Sequence, residues 1–207
     1  MNHRNLLGFF AKFPEPGQVK TRLAQEIGPG AAAVFYRRLA EYVLKRTASL
    51  DSGYLRIVFY TPDAMRQGFE EWLGNELLRP QRGADVGERM ANALEEMFEM
   101  GAEKAIVVGA DIPELHREII DRAFRELDSA DIVLGPAIDG GYYLIGMKAS
   151  QPEIFLNIDW GTGEVFNQTV LNIKKMRLRY ITVETLFDVD SLEDFLKAGE
   201  ILKDAEY

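Results

Sequence analysis

The chain has 207 residues, 47% of them hydrophobic, no cysteine and a formal net charge of −9. The missing cysteines exclude a disulfide framework, a thiolate zinc site and a cysteine nucleophile. The acidic balance argues against non-specific nucleic-acid binding, whose affinity comes from cations neutralising phosphates.

The apolar content suffices for a buried core without metals or disulfides, so one α/β domain over residues 1–207 is expected. The N-terminus MNHRNLLGFFAKF has only a brief apolar run ending at Lys12 and lacks a small-residue cleavage pattern. No later segment approaches the ~18 apolar residues of a membrane span. The expectation is a cytoplasmic protein without membrane or nucleic-acid partners.

In chain order, strand-length apolar runs alternate with helical patterns, as in an open sheet flanked by helices. Asn5 to Lys12 (NLLGFFAK) reads as the first strand, and a helical pattern follows from Lys20. Phe35, Leu39, Tyr42 and Val43 mark one helical face. Tyr54 to Tyr60 (YLRIVFY) is the next strand, stopped by Thr61-Pro62. A short strand precedes QRGADVGERM, and Met90, Leu94, Met97 and Phe98 form the helix after it. Ala105 to Gly109 (AIVVG) and Ile132 to Gly135 (IVLG) are buried central strands, separated by a helix with Ile120, Ala123, Phe124 and Leu127 on one face. Tyr142 to Met147 and Arg179 to Val183 complete the strands, with Phe166, Thr169, Val170 and Ile173 forming the helix between them. Leu192, Phe195, Leu196 and Gly199 give a last helix, which Ser191 and Asp194 start as a capping box.

Two outlines of familiar motifs fail on context. Gly28, Gly30 and Ala33 spell G-x-G-x-x-A, but after a helix rather than a strand, so they read as a helix stop and a new start. Gly17-Gln18-Val19-Lys20-Thr21 resembles the tail of a P-loop, but no Gly precedes the Lys. His3 and His116 lie in unrelated contexts, so neither a histidine triad nor a histidine metal site is expected.

Ligands of open α/β sheets bind beyond the carboxyl ends of strands, which directs attention to four polar stretches. In AKFPEPGQVKTRLA, prolines stiffen a loop, Gly17 permits close backbone approach, and Lys12, Lys20 and Arg22 supply charge suited to a diphosphate or triphosphate. In VVGADIP, Asp111 is either a magnesium ligand or a helix N-cap with proline in the first turn. FDVDS adds Asp188 and Asp190, and one or two carboxylates are what Mg²⁺ takes beside nucleotide phosphates. GPAIDGGYYLIG sets Asp139, Gly140 and Gly141 between strands, where they form a hairpin turn with a glycine to spare for a ligand. Gln81 and the backbone around it are suited to a base edge.

These stretches, with the Trp160-Gly161-Thr162 turn, follow the order seen in prokaryotic transferases grouped as glycosyltransferase A-like within the nucleotide-diphospho-sugar transferase superfamily. The chain resembles that family over nearly its whole length. It is more distantly similar to the guanylyltransferases of molybdenum cofactor and phospholactate. Members often carry serine where Gly161 stands, so a hydroxyl contact is not carried over there.

The resemblance implies a three-layer α/β/α sandwich with a mainly parallel mixed sheet, nucleotide in the N-terminal half and acceptor in the C-terminal half. By matching positions it implies a nucleotide site of Ala11, Lys12, Gly17, Lys20, Arg22, Gln81, Gly83 and Asp85. The acceptor site would comprise Asp139, Gly140, Gly141, Tyr142, Trp160 and Thr162, and a Mg²⁺ (or Mn²⁺) site Asp111, Asp188 and Asp190, with Lys20, Arg22 and Asp111 catalytic. The expected reaction joins a nucleoside monophosphate from a triphosphate to a small phosphorylated acceptor, releasing pyrophosphate. The alternatives are glycosyl transfer from a nucleotide-sugar, with Asp139 as base, and a nucleotide- or partner-binding module without catalysis.

Overall fold

The computed structural model describes residues 4–48 and 53–203. The run NLLGFFAK forms strand β1 (Asn5–Lys12) at the centre of the sheet, and its side chains alternate between two cores. Leu7, Phe9 and Ala11 face one way and Leu6 the other. The same division repeats along β2 (Leu55–Thr61) and β4 (Lys104–Gly109), where buried runs rather than alternating ones reflect burial on both faces.

Seven strands stand in the order β3-β2-β1-β4-β6-β5-β7, with β3 at Leu78–Pro80, β5 at Ile132–Pro136, β6 at Tyr142–Met147 and β7 at Tyr180–Thr182. All adjacent pairs are parallel except those involving β6, which runs antiparallel to both β4 and β5. The expected mainly parallel mixed sheet is therefore present. Chain order reverses between β1 and β4, the switch point where an open α/β sheet leaves a crevice.

Helices cover both faces. Helix α2 (Pro29–Arg46), α5 (Arg117–Glu126) and α7 (Leu192–Lys203) pack on the side of Phe9, and α4 (Val86–Glu99) and α6 (Val165–Lys175) on the side of Leu6. Of the helical faces read from the sequence, Leu39 and Val43, Leu94 and Met97, Ile120 and Ala123, and Val170 and Ile173 lie in these cores, whereas on α7 Leu196 is exposed and Ala198 is buried instead.

Gly28 ends helix α1 (Thr21–Ile27) and starts α2, with φ of 87° and Pro29 in the first turn, as expected of a stop followed by a new start. Ser191 and Asp194 close a capping box on α7: the Asp194 carboxylate accepts from Ser191 N at 2.9 Å, and Ser191 Oγ accepts from Asp194 N at 3.2 Å. Helix α3 (Arg66–Leu73) was not among the expected elements. It is short, carries Gly68, and shows its apolar side only in the buried Phe69, whose ring and that of Trp72 meet Phe13, and in Leu73, partly buried against the same core.

Candidate active site

The carboxyl ends of β1, β2, β4 and β5 and the start of β6 line one cleft of about 630 Å³. Four separate stretches meet there, and local physics explains each.

After β1 the chain turns through Phe13-Pro14-Glu15-Pro16-Gly17, closed by a hydrogen bond from Gln18 N to Glu15 O and by a φ of 79° at Gly17. Val19 plugs the core, and Lys20 follows with φ 46° and ψ 50°. A left-handed conformation is unusual for a residue with a Cβ and costs about 1 kcal/mol. Here it directs the lysine into the cleft rather than to solvent. Its side chain is only 6% exposed, and Nζ donates to Asp111 Oδ2 at 2.6 Å and to Asp190 Oδ1 at 3.1 Å. Burial would push the ammonium down, but Asp111 and Asp190 outweigh it and hold Lys20 above the usual lysine value. Arg22 is exposed and reaches Asp190 Oδ2 at 3.4 Å.

Asp111 emerges where β4 leaves the sheet. It is not the N-cap allowed by its sequence context. Helix α5 starts six residues later behind His116, because Ile112 and Leu115 dive into the core between them. Asp111 is thereby left facing the cleft. His116 spends its ring on Glu114 O and Glu118, in keeping with a structural role. His3 lies outside the described residues.

The stretch FDVD is held by alternation. Phe187 and Val189 are buried, so Asp188 and Asp190 turn the other way, into the cleft. Its backbone is clipped at both sides, by Leu186 N to Pro136 O at 3.1 Å and by Val189 N to Asp111 O at 3.3 Å. This second bond sets the two acids beside Asp111. Asp188 is pushed up to about 6 by burial first, then by Asp111, Asp139 and Asp190, with Lys20 offsetting part of the rise.

The hairpin between β5 and β6 is the turn its glycines predict. Gly140 N donates to Ala137 O, Ala137 N to Gly141 O, and Gly141 N to Asp139 Oδ1 at 2.8 Å. Gly140, at φ 90°, lies against the carbonyl of Gly163, where a side chain has no room. Its glycine thus answers to the neighbouring turn rather than to a ligand. Asp139, Gly141 and Tyr142 do line the cleft.

Several sequence-predicted residues contribute indirectly or not at all. Gly17, Gly83, Asp85, Gly140, Trp160 and Thr162 do not line the cleft. Gly17 shapes the first loop. Asp85 caps α4, accepting from Glu88 N at 2.8 Å, while Glu88 accepts from Ala84 N. Gly83 approaches the backbone of Glu88 and Arg89 too closely for a Cβ. Trp160 lies against Gly87 on α4, and Thr162 Oγ1 donates to Asp159 O. Gln81 lines the cleft, but its Nε2 donates to Phe59 O at 2.8 Å and more weakly to Ala11 O, leaving Oε1 as its free acceptor side.

Tyr36, Thr61, Gln18 and Arg89 line the cleft without having been singled out from sequence. Tyr36 Oη accepts from Lys12 N at 2.9 Å, fixing the exit of β1, and burial holds its phenol above the usual value. In sequence it is indistinguishable from the core stripe of α2. Arg89 Nε donates to Gly83 O at 3.1 Å. Its signal was a cation one turn into a helix that follows a strand end.

No three carboxylate or imidazole groups are already arranged around one point for a metal among the described residues. Asp111 and Asp190 instead converge on the Lys20 ammonium. The residues nevertheless fit a divalent cation: Asp188, half-buried beside three other carboxylates and with no hydrogen bond or ion pair described, sits in a negative potential that a cation relieves.

Fold and cleft together define a protein of the nucleotide-diphospho-sugar transferase class. The chain belongs to the family described as uncharacterized protein conserved in bacteria (DUF2064), which matches residues 43–162. It is 27% identical over 180 residues to a phosphoenolpyruvate guanylyltransferase of Chloroflexus aggregans, covering 84% of this chain and 87% of that one. A solved structure from Desulfovibrio desulfuricans, assigned as a nucleotide-diphospho-sugar transferase, superposes with a TM-score of 0.90 at 32% identity, covering 98% of this chain and 95% of that one. The 4-diphosphocytidyl-2C-methyl-D-erythritol synthase of Anaerococcus prevotii superposes with a TM-score of 0.63 at 9% identity, over 98% and 100% of the chains, and shares the fold. Among the described residues no helix is long and apolar enough to cross a membrane.

Proposed function

We propose that the protein is a nucleotidyltransferase working as one domain: a phosphate oxygen of a small acceptor attacks the α-phosphorus of a nucleoside triphosphate in line and expels pyrophosphate. The observation that carries this reading is the convergence of Lys20, Arg22, Asp111, Asp188 and Asp190, from three distant stretches, on one cleft at the switch point of the sheet. The guanylyltransferase relative supports the same reaction class.

No side-chain nucleophile is required, because the acceptor supplies it. Lys12 and Arg22 line the mouth and draw in the triphosphate, and Lys20 and Arg22 offset negative charge on the departing pyrophosphate. The stiff loop after β1 holds these cations before substrate arrives, which lowers reorganisation during reaction. Gln81, anchored through its amide nitrogen, offers an acceptor to a base bearing exocyclic N–H groups. Asp139, Gly141 and Tyr142 form the wall against which the acceptor rests. Asp111, with Asp188 or Asp190, would hold Mg²⁺ or Mn²⁺. When bound, the ion neutralises charge on the phosphate oxygens.

Glycosyl transfer is the second reading, favoured by the assignment of the Desulfovibrio relative and by Asp139, an exposed carboxylate in the cleft placed to serve as base to a hydroxyl acceptor. The by-product distinguishes the two. Incubation with each of the four nucleoside triphosphates, Mg²⁺ and phosphorylated three-carbon acceptors is expected to release pyrophosphate in at least one combination. Release of nucleoside diphosphate from nucleotide-sugars, with no pyrophosphate in any mixture, would reverse the assignment.

A further inference from the structure

We propose that Lys20 is a resident counter-cation for the metal-binding aspartates, holding Asp111 and Asp190 in place until a metal-bearing nucleotide takes them over, so that free divalent cations bind poorly. This rests on the reading above, that a metal and nucleotide phosphates share the cleft.

Three observations lead to it. The ammonium is buried and sits within hydrogen-bond distance of one oxygen from each of two carboxylates that would ligate the metal. A dication bound at those same oxygens would face the ammonium at close range, and two cations competing for one pair of carboxylates repel each other. The lysine is also fixed from its backbone, by the left-handed φ of 46° and by the helix that begins at Thr21, so its position is not that of a wandering surface side chain. Finally, Asp188 lies in the same cluster without an ion pair described, so the cluster remains negative even with Lys20 in place. The resident ammonium therefore orders the aspartates without satisfying them.

A triphosphate changes the balance. Its oxygens offer Lys20 new partners of the same charge type, and they carry a metal in with them. The two aspartates then exchange an ammonium for the metal, and Lys20 passes to the phosphates without leaving the cleft. No bond is made or broken and no proton moves in this exchange. Lys20 acts here as a positioning residue, and the order of binding, nucleotide with metal rather than metal first, follows from it.

The test titrates Mn²⁺ alone, followed by electron paramagnetic resonance of the free ion, into the wild-type chain and into Lys20→Met, Lys20→Gln and Lys20→Arg. Removing the charge in Lys20→Met or Lys20→Gln is expected to tighten Mn²⁺ binding at least tenfold, while Lys20→Arg, which restores a cation to the two carboxylates, stays near wild type. Equal or weaker Mn²⁺ binding in both neutral variants overturns the proposal. Should loss of the lysine destabilise the chain, the melting temperature supplies a second measurement. Mn²⁺ should then raise it more in the neutral variants than in wild type, and an equal rise counts against the exchange. Parallel titrations of the wild-type chain with GTP, ATP, CTP and UTP in the presence of Mg²⁺ separate the two ideas. Nucleotide binding without the Mn²⁺ gain removes the counter-cation role alone. The Mn²⁺ gain without any nucleotide binding removes the nucleotidyltransferase reading and leaves the competition at the aspartates standing.

Discussion

The loop after β1 and the loop after β3 look alike in sequence: each is polar, carries glycine, leaves the carboxyl end of a parallel strand and leads into a helix. In the structure they do different work. The first closes its turn through backbone bonds and proline stiffness, so Lys20 and Arg22 are left for the cleft. The second closes through its side chains: Asp85 caps α4, Glu88 returns to Ala84 N, Arg89 holds Gly83 O and Asn92 Nδ2 donates to Arg82 O. A polar loop presents chemistry to a ligand only with the groups its own backbone does not need.

Substitutions can sharpen this contrast. The largest effect belongs to the partner of the first loop. Asp111→Asn is expected to abolish metal-dependent stabilisation by nucleotide and also to lower stability by about 2 kcal/mol, since a charge-assisted hydrogen bond to the buried Lys20 is lost. Calorimetric titration and chemical denaturation would measure the two effects separately, and unchanged nucleotide affinity would break the contrast. In the second loop, Asp85→Ala should cost about 1 kcal/mol as a lost cap while nucleotide affinity changes little. A large affinity loss without a stability loss would return Asp85 to the site.

The smallest effect has the opposite sign. The folded-state value of Asp188 is raised from 3.8 to about 6, so the native chain holds this proton more tightly than the unfolded one. Ionising Asp188 therefore opposes folding above about pH 6, and that penalty fades as the pH falls toward 3.8. Asp188→Asn should melt slightly higher than wild type in mildly alkaline buffer, with the difference closing in acid, and should bind Mn²⁺ less well. A variant that melts lower throughout would show that the carboxylate makes a favourable contact.

Much of the fold was legible because burial on both faces leaves uninterrupted apolar strands: β1 and β6 match their expected bounds, and β4 and β5 each differ by one residue. Helix α3 was not legible, since eight residues around a glycine give too little periodicity to stand out. Polar residues following apolar runs led to Asp111, Asp188, Asp190, Lys20 and Arg22, all of which line the cleft. That pattern gave no hint that Lys20 would lie on two of those acids, because the left-handed turn that aims it has no glycine or asparagine to announce it. Gly140 and Gly83 show the converse. Their glycines are demanded by contacts with the chain itself, with Gly163 and with the start of α4, and a glycine's reason for being there cannot be read from its letter.

The reversed direction of β6 matters beyond the pairing it completes. Because the chain comes back into the sheet at the rim where the parallel strands leave it, one wall of the cleft hangs on a short turn whose tip, Ile138, is two-thirds exposed. That tip is clipped to the neighbouring stretch by Ile138 N to Leu186 O, so a shift in the turn alters what the cavity admits and also reaches the segment carrying Asp188 and Asp190. The shape of that wall and the placement of the two acids are thus mechanically joined, and a change in one is felt by the other.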